Sequence, residues 1–371
     1  MPTLAHEPQT RYSDLLLAKL RAELVLADGF VFNNDYEGDP TAGAVKIPVR
    51  DDEVAVSDYD KANGIALTGG ATRYVTMNID KDKAVNELID GYDAASVPDN
   101  LIADRLDSGG YSLARRIDTD GATTLLAGAT VTNISQLTAL NVYSTIVNLR
   151  TAMSKADVPD DGKRYLLVTP ETMALLLNCP EFINASALGN TVVQNGVIGK
   201  IAGFLVKEWN DKTANLAMIA GHPRFATRAS EWAVGVHVQD LAQSGNYIGA
   251  CAVQGRRVYG HKVLRSVAIR AVYAPGSLTA SLSAASGSGS SGKTVATVTA
   301  GNTGTNYAYK LNPSERAAYG TSNTDYDGTA LTSGTTAIAV SEGDVLEIVN
   351  FDGGIAVAVT YLTVKSSEIA S

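Results

Sequence analysis

The period of the hydrophobic positions changes several times along this chain, and each change marks an element. After a polar tip (1–12), SDLLLAKLRAELVLADGF places Leu16, Leu17, Leu20 and Leu24 on one helical stripe, with Ser13 at the N-cap and Gly29 as a stop. This predicts a short amphipathic helix that must dock on its own body or on a neighbour. Residues 38–96 switch to short alternations broken by Gly, Pro and Asp, as in GDPTAGAVKIPVRDDEVAVSDYD and GIALTGGATRYVTMNID. That stretch has too few apolar residues for a core of its own and reads as an extended hairpin in need of a partner surface. The following DKAVNELIDGYDAASVPDN is acidic and turn-rich.

From Pro98 the pattern becomes helical through residue 127, roughly 40 Å at 1.5 Å per residue. Gly109 and Gly110 fall in its middle, where each costs about 1 kcal/mol relative to Ala. The pair reads either as a loop or as the hinge of a long helix. A second helix is expected over 135–154, with Val142, Ile146, Leu149 and Met153 on one stripe and Leu137, Leu140 and Val147 on another, so that both faces are covered. In KRYLLVTPETMALLLNCPEF a strand leads to Thr169 as N-cap, Pro170 at the first helical position and a helix ending near Asn178. GKIAGFLVKEWN, ANLAMIAG and GHKVLRSVAIRAVYA alternate like sheet strands, so residues 1–277 read as α+β. Residues 278–293 then read as a Gly/Ser-rich linker with little to bury, followed by a small all-β module over 294–371 with a DGG turn.

Composition narrows the function classes. A chain of 371 residues with 45% hydrophobic positions supports two or three domains. A formal net charge of −9 argues against a sequence-specific or general nucleic-acid binder, which needs a local surplus of Lys and Arg. Two cysteines, Cys179 and Cys251, cannot build a disulfide framework or zinc cluster. The N-terminal residues show no signal-peptide pattern, and no run approaches the roughly 18 apolar residues of a membrane span.

Few motifs carry chemistry. Residues 287–294, GSGSSGKT, satisfy the phosphate-loop pattern letter for letter, but that chemistry needs a strand before and a helix after, and here a linker precedes a strand. His6, His222, His237 and His261 are scattered without metal-ligand spacing. Asp58, Asp60 and Asn63 resemble a calcium loop only in part, with the Gly and closing Glu misplaced. No catalytic, metal or cofactor site is expected, and the chain reads as a structural protein, not an enzyme.

Three stretches, taken in order, resemble the Hong Kong 97-type capsid fold of tailed bacteriophages. TRYVTMNIDKDKAVNELIDGYDAAS running into LIADRLDSGGYSLARRID is similar to the family's extended loop and spine helix. DGKRYLLVTPETMALLLNCPEF resembles the strand and helix of its axial domain. NGVIGKIAGFLVKEWN with GRRVYGHKVLRSVAIRAVYA resembles its axial sheet and closing peripheral strands. The resemblance implies an N-terminal arm (1–37), an extended loop (38–97), a spine helix with peripheral and axial domains (98–277), the linker (278–293), and an appended module (294–371) like the immunoglobulin-like or decoration-like domains of some phage proteins.

It further implies a major capsid protein of the virion, assembled in a bacterial cytoplasm into hexamers and pentamers around double-stranded DNA. Scaffolding and portal partners and a cement or decoration protein would accompany it. Lys46, Arg50 and Arg73 are then candidates for contacts with acidic residues of adjacent subunits. The module, on its tether, is expected outside the shell. Nothing in the residues carries over the Lys–Asn cross-link of some members. An encapsulin-type nanocompartment shell and a tail or adhesin-like binding protein are the alternatives.

Overall fold

The computed structural model describes residues 19, 21–26, 29–37, 43–50, 53–54, 56–65, 69–70, 72–96, 100–180, 199–241, 247–299 and 306–371. In chain order, β1 (Ala44–Val49), β2 (Arg73–Asn78) and β3 (Lys81–Ile89) precede α1 (Gly91–Ser96) and α2 (Leu101–Gly128). Next come β4 (Thr130–Asn133), α3 (Val142–Lys155), β5 (Tyr165–Val168) and α4 (Pro170–Leu177). Then follow β6 (Lys200–Ile201), β7 (Phe204–Glu208), β8 (Leu216–Gly221), β9 (Ala226–Asp240), β10 (Cys251–Val263) and β11 (Arg270–Tyr273). The remainder is β12 (Gly276–Ser277), β13 (Ala280–Ala284), β14 (Lys293–Val298), β15 (Asn306–Leu311), β16 (Thr329–Leu331), β17 (Ala337–Ala339), β18 (Val345–Asp352) and β19 (Ile355–Thr363). Two compact units result: Met1–Gly128 with Pro223–Arg265, and Ala129–His222 with Ser266–Ser371.

In the first unit, α2 lies on the antiparallel sheet β3-β10-β9. Its buried stripe, Gly109, Leu113, Ile117, Gly121 and Leu125, repeats every four residues. Glycine sets the closeness of the packing. A Cβ on Gly109 would meet Val253, Val236 and Val85 at 3.3–3.5 Å, and one on Gly128 would come within 2.6 Å of Val263. The helix runs unbroken through Gly109 and Gly110, so the loop reading of that pair is set aside. Asp120 is buried on the same helix and accepts the Tyr259 hydroxyl at 2.8 Å and an Arg116 N–H at 3.1 Å. Burial first, then Asp120, pushes the Tyr259 phenol well above its usual range.

The expected N-terminal helix is corrected where it can be seen. Residues 21–26 are not helical; residues 13–18, 20 and 27–28 lie outside the described residues. Tertiary contacts take the backbone groups a helix would use internally. The Leu26 N–H donates to Asp118 at 3.0 Å, and the Ala22 carbonyl accepts the Tyr111 hydroxyl at 3.0 Å. The start expected near Pro98 also lies outside the described residues; α2 begins at Leu101, after Asn100, whose side chain accepts the Ala103 N–H.

The second unit holds a six-stranded sheet, β4-β11-β8-β5-β7-β6. Every residue of β5 and β8 is buried, as in strands covered on both faces. The expected strand-to-helix turn is present: Thr169 caps α4 with Pro170 at its first position. The Thr172 hydroxyl in turn donates to the Ala217 carbonyl at 2.9 Å, tying α4 to β8. The second helix differs from expectation in start and burial. The Asn141 side chain accepts the Thr138 N–H and donates to the Gln136 carbonyl, folding the preceding residues into a turn, so α3 starts at Val142. Only its Val142, Ile146, Leu149 and Met153 stripe is buried; Leu140 and Val147 are exposed.

The expected linker over 278–293 is also corrected. Leu278 is buried, β13 pairs with β14 across the whole of Ala280–Ala284, and only residues 285–292 form the connecting turn. Two sheets, β12-β19-β18-β15-β16 and β13-β14-β17, close over a core of Leu278, Ala296, Leu331, Ile338, Leu346 and Ile348. The module is joined to the six-stranded sheet by backbone and ring contacts as well as by the chain. The Tyr319 N–H donates to the Ile134 carbonyl at 3.0 Å, and Tyr273 stacks on Tyr319 at 5.5 Å.

The other face of β18 is covered by the segment between β15 and β16, and one carboxylate fastens it. Fully buried Glu347 accepts the Ala317 N–H and the Tyr326 hydroxyl, each at 2.8 Å. Burial, with Glu347 adding to it, raises the Tyr326 phenol well above its usual range. Glu347→Ala leaves both donors buried without a partner. It is expected to cost about 1–3 kcal/mol, read as a lower urea midpoint and new protease cleavage between residues 312 and 328.

Candidate assembly surfaces

In the first unit, the β1–β2 hairpin has a fixed root and a bare tip. Ile47, Met77 and Ile79 pack on Ala229, with Val45, Val258 and Leu264 around them. At Gly260, a Cβ would come within 2.4 Å of the Asn78 carbonyl oxygen, so only glycine lets β10 pass beneath the end of β2. Beyond the Val49–Arg73 pair, the described loop residues are mostly exposed: Val54 is 87%, Val56 96% and Tyr59 71% accessible.

The acidic part of the loop makes a turn. Asp60 accepts the Ala62 N–H at 2.9 Å and the Asn63 side-chain N–H at 2.6 Å, and these bonds, Ala62's foremost, hold its carboxyl below the usual range. Among the described residues no group of His, Cys, Asp and Glu could hold a metal ion, and no helix is long and apolar enough to cross a membrane.

The sequence-derived contact residues are not brought together. Lys46 points outward opposite Thr76, on the face that also carries Pro48 and exposed Tyr74. Arg73 pairs with Val49 on the other face. Arg50 lies just past β1, and its carbonyl accepts an N–H of Arg265 at 3.4 Å. Of the supposed hinge pair, Gly109 is packed against valines while a Cβ on Gly110 would meet nothing.

A second surface was hidden behind the helical expectation for the N-terminal arm. Residues 21–26 form a non-helical strap that runs in the same direction as α2, with Lys19 ahead of it. Lys19 pairs with Asp104 at 2.6 Å, Arg21 with Asp107 at 2.5 Å, and Leu26 with Asp118. From Arg21 to Leu26 the two spacings match: five extended steps at about 3.3 Å cover roughly 17 Å, and the eleven helical steps from Asp107 to Asp118 at 1.5 Å also about 17 Å. The Arg21 guanidinium also lies over the Tyr111 ring at 4.9 Å. Alongside the strap runs a groove of about 430 Å³, floored by Leu26, Leu113, Ile117 and Val236 and edged by Arg228 and Arg257.

The phosphate-loop look-alike has the wrong context. In the second unit, residues 287–294 turn from β13 into β14, and the Thr294 hydroxyl is buried, donating to the Ser283 carbonyl at 3.0 Å. No helix follows to present N–H groups to a phosphate.

Comparison with known proteins fits this geometry. The profile of a family described as phage capsid protein matches residues 87–278. No curated protein sequence matches the chain. A structure from Mycobacterium phage Che8 superposes with a TM-score of 0.62 at 24% identity, covering 73% of this chain and 98% of its own. The capsid structure of cyanophage P-SCSP1u gives 0.60 at 16% identity, covering 72% and 93%. The mature capsid of bacteriophage PhiM1 gives 0.54 at 13% identity, covering 71% and 92%.

The strap should respond to acid. The hydrogen bond from Arg21, with the charges of Arg21 and Lys19 behind it, holds the Asp107 carboxyl below its usual range. A depressed carboxyl stabilises at and above the ordinary carboxylate range and loses that contribution as pH falls through its folded value. Amide-exchange protection of residues 21–26 should therefore drop below about pH 4. Arg21→Ala should remove most of that dependence.

Proposed function

This chain belongs to the phage capsid protein family, as a major capsid protein of the Hong Kong 97 type, and we propose that copies of it close into the icosahedral head that encloses the double-stranded DNA of a tailed phage. Hexamers and pentamers are the building rings, with a scaffolding protein and a portal as assembly partners and a cement protein as a possible later addition. The observation that carries this reading is the hairpin with an anchored root and an exposed apolar tip. A subunit finished by its neighbours leaves such a surface bare when alone, and repeated heterologous contacts around a ring cover it. Many modest contacts per subunit then add up to a stable shell.

The C-terminal module is read as an immunoglobulin-like domain on the outer surface of the head. Its two facing sheets and their strand order support the first part: β13-β14-β17 faces β15, β18 and β19, with β12 added beside β19. Three features support the second. The matched family region ends at residue 278, where the module begins, so the shared core does not include it. Residues 293–371 carry eight carboxylates, all but buried Glu347 at least partly exposed, against Lys293, Lys310, Arg316 and Lys365, a poor surface to turn toward packed DNA. The 285–292 turn is a Gly/Ser-rich tip of the kind that tolerates exposure.

Deleting residues 53–70, which leaves β1 and β2 intact, tests the assembly role. The variant is expected to keep its thermal transition and to sediment as monomer or capsomer where the full chain sediments as particles. Particles of normal yield from the deletion would contradict the reading. Limited proteolysis of intact particles should cut at 285–292, and protection there would place the module elsewhere.

A further inference from the structure

The face of the C-terminal sandwich that carries the segment between β15 and β16 has a hollow in it. Ala308 of β15 and Ala330 of β16 are cross-strand partners, so they share that face, where Ala308 packs with Val349 and Phe351. Asn306, two residues before Ala308 and opposite Phe351, lies on it too. Two methyl groups stand where larger side chains would fill the space. They leave a cavity of about 740 Å³, within the range that holds a small-molecule ligand. Asn323 and Tyr326 of the covering segment line it, with Thr332 just past β16.

The polar groups of the hollow are uncommitted. Asn306, Asn323 and Thr332 are exposed, and their side chains make no hydrogen bond among the described residues. Each carboxamide holds a donor and an acceptor side by side. The aromatic side, by contrast, is fixed in advance. Tyr326 donates its hydroxyl to buried Glu347 at 2.8 Å, and its ring centre lies 5.6 Å from that of Phe351. A Cβ on Gly328 would come within 2.2 Å of the same ring, so glycine lets the chain pass close against it. A ring held this way is in place before any ligand arrives. None of the residues lining the hollow carries a charge.

We propose that this hollow binds a neutral saccharide. A pyranose ring has a face of C–H bonds that packs on an aromatic ring, and a rim of hydroxyls that each donate and accept. Tyr326 supplies the ring, Asn306 and Asn323 supply paired donors and acceptors for neighbouring hydroxyls, and Thr332 adds a hydroxyl of its own. The uncharged lining decides against other ligands that stack on tyrosine. A nucleotide, or a sialylated or sulfated glycan, brings an anion that needs a cation beside it. A proline-rich peptide needs an aromatic trough, whereas amides and a hydroxyl share this one with the rings. The inference concerns the module alone. The shell reading adds only the display of many copies on one particle, which raises the strength of a weak single site.

The test is an array of neutral hexose and N-acetylhexosamine oligomers, with sialylated and sulfated glycans and a proline-rich peptide beside them. The full chain is applied in soluble form and as particles, and the strongest neutral glycan is then titrated against the soluble chain. Binding to neutral glycans is the expected result. Asn306→Ala and Asn323→Ala, both at exposed positions, should keep the wild-type thermal transition and each bind at least about tenfold more weakly. Ala330→Trp, also at an exposed position, should fill the hollow and abolish binding without loss of stability. No neutral glycan bound by chain or particles would overturn the proposal. So would binding confined to the anionic glycans or the peptide, or a glycan held equally well by Ala330→Trp, which would place it elsewhere on the chain. Failure of the shell reading shows separately, as a chain that forms no particles, and the titration of soluble chain still reads the site.

Discussion

Much of the first unit depends on how closely α2 approaches the β3-β10-β9 sheet. Gly109, Gly121 and Gly128 face the sheet, and at Gly128 a methyl group would already collide with Val263. At that distance a helix and three strands make a stiff layer with polar groups built into it: Asp120 takes the Tyr259 hydroxyl, and Arg105 reaches Glu87 of β3 at 2.7 Å. The outer side of the same helix then serves as a rail for the strap. The hairpin root is anchored on the sheet's β9 and β10 residues Ala229 and Val258. A rigid platform with one long loop held out from it is the form a shell subunit needs, because each copy has to present a fixed surface to the next.

Local chemistry was legible in the sequence, and long-range satisfaction was not. Thr169 and Pro170 announce a helix start by hydrogen-bonding and φ preferences that act within one turn, and α4 begins there. The described part of the arm, residues 21–26, departs from expectation for the opposite reason: a neighbouring helix supplies its hydrogen-bond partners, as Asp118 and Tyr111 do. β3 looked acidic and turn-rich because its helix-facing row includes Lys83 and Glu87 beside Val85, so the period of two is written partly in polar residues. In the supposed linker, Leu278, Ala280 and Leu282 keep the period, but the serines and small side chains between them hide it.

Of the surface residues, the sequence singled out cations on the loop, and the register separates them. Arg73 shares a face with Val49, and Lys46 lies on the other. The more telling signal was the alternation of acids and valines in DDEVAVSDYD, which reads as solvated turns until Val54 and Val56 are seen standing in solvent. The groove residues Arg228 and Arg257 lie a hundred residues or more from the end of α2, and no local pattern links them to it. Fold order and the long helix can be read one window at a time, whereas an assembly surface appears only when separate windows meet.

Negative-stain electron microscopy of the chain expressed in bacteria, alone and with its scaffolding partner, tests the central claim most directly. Closed shells, tubes or ring-shaped capsomers of uniform diameter are the predicted result, with packaged nucleic acid or protein cargo separating a phage head from a nanocompartment. A monodisperse monomer or small oligomer under both conditions would contradict the account and turn attention to the C-terminal sandwich as a binding module.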